Sequence, residues 1–207
     1  MKKQLTLLGS LLAATAAQAQ LVPGGNFEYS PAQWPTYFTT GYTYVPTVPQ
    51  SNIANFNALN GAGLLTINTS PFDLAPAWPD FGAEPSIPGT QFLIVNGSLN
   101  AGQVVWNLAS TQHIPVVAGQ TYFFEAYYAN INQAAGNLGT LTFQLQFSPD
   151  NVTFGPDEVL GTPNVQATGV GQWNILTNPS WAAPTNGWVD LQIVNANSAF
   201  TGNDFVI

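Results

Sequence analysis

The chain has 207 residues, with ten Asp or Glu, two Lys or Arg, one His and no Cys, for a formal net charge of −8. Without Cys there is neither a disulfide framework nor thiol chemistry, and one His cannot build a multi-histidine zinc centre. So acidic a chain has little with which to neutralise the phosphates of nucleic acid or of anionic lipid.

The chain opens on Met1, Lys2 and Lys3, continues through the apolar run 5–17, and reaches Ala17-Gln18-Ala19. A basic start, a short apolar stretch and a small-x-small site predict a secretory signal peptide over residues 1–19, removed after Ala19. The apolar run is shorter than the ~20 residues a membrane-spanning helix needs, so the reading is export to the extracellular space or cell surface without membrane insertion. Residues 20–207 are expected to form one β-sandwich domain, with all ten carboxylates and no Lys or Arg. A carboxylate buried there must be protonated, hydrogen-bonded or bound to a cation. Calcium is the natural extracellular candidate.

Between Ser30 and Pro88 the sequence is irregular and rich in Pro and aromatics, which predicts long loops with one or two strands. Trp34 and Tyr37, Trp78 and Phe81, and later Trp181, stand beside prolines or in loops. Such rings either form a binding rim or plug the open ends of a sandwich.

Short β-branched and aromatic runs then recur between Gly, Pro, Asn and Ser clusters, the pattern of an all-β antiparallel sandwich. Strands are predicted at 64–68, 91–96, 103–109, 121–128, 140–148, 172–176, 188–195 and 204–207; eight suit a jelly roll. Alternation within them sorts the faces. Leu141, Phe143, Leu145 and Phe147 point inward, leaving Gln144 and Gln146 outward. Val189, Leu191 and Ile193 take the core side, leaving Trp188, Asp190 and Gln192 opposite. Val104, Trp106 and Leu108 form another core face. In 121–128, Phe123, Glu125 and Tyr127 are outward. Because sequential strands usually pair, Glu125 and Tyr127 are expected near Gln144 and Gln146. The resulting surface of rings, amides and carboxylates suits neutral polyhydroxylated ligands, since sugars present C–H faces to aromatics and hydroxyls to amides. It is equally what the solvated side of any sandwich sheet looks like.

The segments Leu21-Val22-Pro23-Gly24-Gly25-Asn26-Phe27-Glu28, Phe92-Leu93-Ile94-Val95-Asn96-Gly97, Val105-Trp106, Ala118-Gly119-Gln120-Thr121-Tyr122-Phe123-Phe124 and Gly202-Asn203-Asp204-Phe205 resemble galactose-binding-like jelly-roll domains. These include the carbohydrate-binding modules of secreted bacterial glycosidases and related bacterial surface proteins. The resemblance implies a polysaccharide or surface glycan as partner, in attachment or adhesion. It also implies a structural calcium held by Glu28, a carbonyl at Gly25 and Asp204. Those domains place an Asp after a segment like 204–207, so the resemblance further implies a domain truncated at its C-terminus.

No catalytic motif is present. His113 lies in Thr111-Gln112-His113-Ile114-Pro115 without a nucleophile signature. Glu125 and Asp190 are the one carboxylate pair placed on a common face, the arrangement a glycosidase would need. A non-catalytic binder is the leading reading; a self-associating matrix or surface-layer protein is the alternative, and a glycoside-active enzyme the third.

Overall fold

A computed structural model of the chain describes residues 22–30, 32–46, 59–86, 88–132, 139–165, 169–177, 180–197 and 203–207. The expected signal peptide lies outside the described residues. Among them no helix is long and apolar enough to cross a membrane.

Two antiparallel sheets form a jelly-roll sandwich. In chain order the elements are the single-turn helix α1 (Trp34–Tyr37), β1 (Phe38–Thr39), β2 (Thr43–Tyr44), β3 (Leu64–Asn68), β4 (Phe92–Asn96), β5 (Gln103–Leu108), β6 (Ile114–Val116) and β7 (Thr121–Tyr122). They continue with β8 (Glu125–Asn130), β9 (Leu141–Ser148), β10 (Glu158–Gly161), β11 (Trp173–Thr177), β12 (Trp181–Ala182), β13 (Gly187–Asn195) and β14 (Phe205–Val206). The first sheet runs β1-β5-β13-β9-β10, with β6 added on β13; the second runs β11-β8-β14-β4-β3-β2. Among the described strand pairs only β2–β3 is parallel, and β7 with β12 forms a separate ribbon.

The core between the sheets is built from the alternating apolar faces. Leu141, Leu145 and Val189 are fully buried, with Phe143, Leu191 and Ile193 beside them. Trp106 is buried as expected, but Val104 is not. Trp106 pairs with Ile193 and Val104 with the next residue, Val194, so Val105 is an extra residue in β5. A bulge of this kind reverses the alternation: Val105 goes into the core and Val104 is half-buried.

The second sheet has apolar cover on its other side too. Leu59 and Leu74 pack with Phe92, Ile94, Ala129, Ile131 and Val206, and Trp78, Phe81 and Trp173 close around them. A strand covered on both faces reads as a continuous apolar run, which explains Phe92-Leu93-Ile94-Val95.

Candidate functional site

The outer face of the first sheet is where the polar residues of its strands converge. β13 and β9 pair with Asp190 opposite Gln146, Gln192 opposite Gln144 and Trp188 opposite Ser148. On the other side of β13, Gln192 faces Asn107 of β5, and Asn107 faces the exposed Thr39 of β1. A row Thr39, Asn107, Gln192, Gln144 therefore crosses four strands, with Asp190 and Gln146 one step along. Directly opposed side chains in a sheet lie ~4.5–5.5 Å apart at Cβ. Accordingly, Gln144 Nε2 donates to Gln192 Oε1 at 3.0 Å, Gln146 Nε2 to Asp157 Oδ1 at 2.7 Å, and Gln192 Nε2 reaches Asp190 Oδ2 at 3.5 Å.

Asp190 is the unusual member. It lies opposite the break between β5 and β6, is 6% exposed, and its Oδ1 is buried without a hydrogen-bond partner, as is Oδ1 of Asn107. Burial pushes its carboxyl above the ordinary carboxylate range, against the pull of the nearby His113 and the Gln192 amide. His113 itself is held structurally: its Nδ1 is 2.7 Å from Asn151 Oδ1 and its ring meets Phe154 edge-on at 4.5 Å. Trp188 is half-buried at the end of the polar strip, opposite Pro115 of β6.

Five of the seven expected face residues thus come together: Trp188, Asp190, Gln192, Gln144 and Gln146. Glu125 and Tyr127 do not join them. β8 and β9 are consecutive, yet the chain crosses between sheets after β8, which pairs with β11 and β14 instead. Both residues do point outward, but from the second sheet. There the Tyr127 hydroxyl accepts from Ser86 Oγ at 3.2 Å, and the Ser86 amide donates to Glu84 Oε2 at 2.7 Å. The same crossing separates Glu125 from Asp190, so the expected carboxylate pair is split. The predicted strand 121–128 is also two strands, broken at Phe123 and Phe124.

The loop aromatics pack against the body of the sandwich. Trp34 begins α1, half-buried, with its ring 4.9 Å from Phe38 and 5.0 Å from Tyr44. Trp78 packs into the second apolar layer. Trp181 is buried and donates its indole N–H to Glu158 Oε2 at 3.0 Å.

Glu28, Gly25 and Asp204 do not fit one calcium ion between them. Glu28 Oε1 accepts the amides of Thr90 and, at 2.6 Å, Gln91, just before β4. Asp204 accepts Gly97 N at 3.2 Å and Asn132 Nδ2 at 3.0 Å, just after β4. The two anchor points are separated by about 20 Å of strand at the usual rise per residue. The chain's answer to carboxylates without basic partners is amide donors, since burial pushes the Asp204 carboxyl up while Gly97 and Asn132 oppose it.

Asn107 was not among the expected residues. Its signal was present, because it alternates with Trp106 and Leu108 and so had to face away from the core.

No family model and no curated protein matches the chain. Among solved structures it is similar to the N-terminal CBM22-1-GH10 modules of endo-1,4-beta-D-xylanase 10B from Clostridium thermocellum, solved with xylohexaose, at 16% identity and a TM-score of 0.41. That match covers 60% of this chain but only 22% of the xylanase chain. A xylan-binding domain from CBM22 matches at 17% identity and TM-score 0.39, over 71% of this chain and 84% of its own. The C-terminal family 22 carbohydrate-binding module of the Clostridium thermocellum enzyme matches at 16% identity and TM-score 0.39, over 78% and 92%. Each of the three contains a family 22 carbohydrate-binding module.

Proposed function

We propose that this chain is a non-catalytic, extracellular carbohydrate-binding module, with the outer face of its first sheet as the ligand surface. The observation that carries the reading is the strip Asn107, Gln192, Gln144, Asp190 and Gln146 in register across β5, β13 and β9, ending at Trp188. Asp190 Oδ1 and Asn107 Oδ1 in this strip have no hydrogen-bond partner within 3.5 Å among the described residues. Hydroxyl groups are the donors such oxygens need, amide side chains both give and accept, and an indole beside them offers a flat surface for the C–H face of a sugar ring. The acidic chain and its lack of Lys and Arg after Lys3 favour a neutral glycan over an anionic one.

The test is retention of the purified protein on insoluble xylan, cellulose, mannan and chitin, repeated with Trp188→Ala and Gln192→Ala. Retention on one polysaccharide, weakened about tenfold or more by Trp188→Ala, is the expected result. Unchanged retention in both variants removes this face from consideration.

Self-association is the second reading. It is favoured by the strands that end each sheet, β10 and β11, which carry exposed Val159 and Ile175. Edge strands with exposed apolar side chains pair readily with other chains, β11 carrying no charge and β10 only Glu158. Sedimentation velocity on the wild type and on Ile175→Lys distinguishes it, since self-association requires a concentration-dependent oligomer that the added charge disperses.

A further inference from the structure

A second concave surface lies away from the first sheet's face, at the end of the second sheet where β3 finishes and β4 begins. It is a groove of about 480 Å³ lined by Glu28, Tyr29, Gln33, Tyr44, Asn68 and Gln91, with Ile67 in its floor. That volume falls within the ~300–1,000 Å³ usual for small-ligand sites. It shares no residue with the strip on β5, β13 and β9.

One feature of the groove is unexplained by folding alone. The hydroxyl of Tyr29 is buried and without a hydrogen-bond partner, although buried hydroxyls are nearly always satisfied, and that of Tyr44 has only the Thr66 hydroxyl near it. The rings that carry them are packed against other aromatics, Tyr29 stacked on Tyr37 at 4.7 Å and Tyr44 tilted against Trp34 at 5.0 Å. Burial, with Tyr37 and Tyr44 nearby, drives the Tyr29 phenol above its ordinary value, so it remains a neutral donor. Around them stand only uncharged amides and hydroxyls and the single carboxylate of Glu28, whose Oε1 already accepts the Gln91 amide at 2.6 Å. Two tyrosine hydroxyls, one of them unsatisfied, with amides and an aromatic wall at one opening select a small, neutral, oxygen-rich molecule.

We infer that this groove is a second saccharide site, taking a short neutral oligosaccharide through Tyr29, Tyr44, Asn68 and Gln91 independently of the sheet face. The choice of ligand class rests on the carbohydrate-binding reading; the existence of the site rests on the groove and the unsatisfied Tyr29 hydroxyl. Two sites on different parts of one module would raise retention on a polymer by multivalency without new contacts.

Isothermal titration with xylohexaose, cellohexaose and mannohexaose tests it, using wild type, Trp188→Ala, Tyr44→Phe and Gln91→Ala. The expected result is two sites per chain, one surviving in Trp188→Ala, with Tyr44→Phe and Gln91→Ala each weakening that survivor about three- to tenfold. Tyr44→Phe deletes a hydroxyl with no protein neighbour but the Thr66 side chain, so its melting temperature should change little, whereas a structural role would lower it. A single site abolished by Trp188→Ala and indifferent to both groove variants overturns the groove while the sheet face stands. A single site indifferent to Trp188→Ala and weakened by the groove variants supports the groove and overturns the face. Binding of none of the three sugars by the folded wild type overturns the groove, while the face is still judged by polysaccharide retention.

Discussion

Asp190 and Asp150 sit a few residues from the same strands and are pushed in opposite directions. Asp150 Oδ1 accepts the amides of Thr153 at 2.8 Å and Val152 at 2.9 Å and the Ser148 hydroxyl at 2.8 Å, which lower its carboxyl to about 2. The folded state therefore releases this proton more readily than the unfolded one. The stabilisation is present above the unfolded value near ~4 and fades as pH falls towards 2. Asp150→Asn should lower the melting temperature at pH 7 and have little effect at pH 2. For Asp190 the sign reverses. Burial raises its folded value, so the unfolded chain loses the proton first, and stability declines as pH rises past the unfolded value towards the folded one. Asp190→Asn should hence raise the melting temperature at pH 7 relative to wild type and leave it nearly unchanged at pH 3. Scanning calorimetry across that range checks both, and a variant indistinguishable from wild type at pH 7 would show that Asp190 is solvated after all.

β13 is the element on which the site depends, because it contributes Trp188, Asp190 and Gln192 outward and Val189, Leu191 and Ile193 inward. Its first residue is Gly187, where a Cβ would meet Ser148 O at 2.3 Å and the Phe147 ring at 2.7 Å. Gly187→Ala should cost about 1–3 kcal/mol by overpacking, and chemical denaturation measures it. Leu145→Ala, which leaves a hole opposite Leu191, should cost about 2–5 kcal/mol. Trp78→Ala should lower stability by about 1–3 kcal/mol and leave polysaccharide retention untouched, since its ring packs in the second apolar layer. At this scale much was legible in the sequence. The long strands β9 and β13 announce themselves by alternation and fall within a residue of expectation, and the face assignments of Gln144 and Asp190 follow from it. The two-residue strands β1, β2, β7 and β12 are too short to show any period. The assignment of β8 to the opposite sheet from β9 was hidden for another reason: it depends on where a distant strand, β14, lies. Trp78 and Trp181 were ambiguous because a Pro-flanked indole looks the same in a loop that faces water and in one that folds over a sheet.

For the molecule as a whole, charge is nearly absent apart from carboxylates. A neutral ligand held by amides and rings should be insensitive to screening. Retention on polysaccharide should therefore change little between about 50 and 500 mM NaCl, whereas a steep decline would point to an ionic partner. The two sheets differ in exposure, the first presenting one face to solvent and the second carrying apolar cover on both. Amide hydrogen exchange should accordingly be slowest in β4 and β14.

β14 pairs with β4 on one side and β8 on the other, and Leu93 and Ile207 exchange both backbone hydrogen bonds at 3.0 Å. It is the seam of the second sheet and follows every other strand of that sheet in the chain. Among the described residues, β14 is what joins the facing edges of β4 and β8. It does so with residues about 110 positions downstream of the β4 residues they join. Contacts of such separation fold slowly, so closure of the second sheet is set by pairing between distant parts of the chain rather than by neighbouring hairpins.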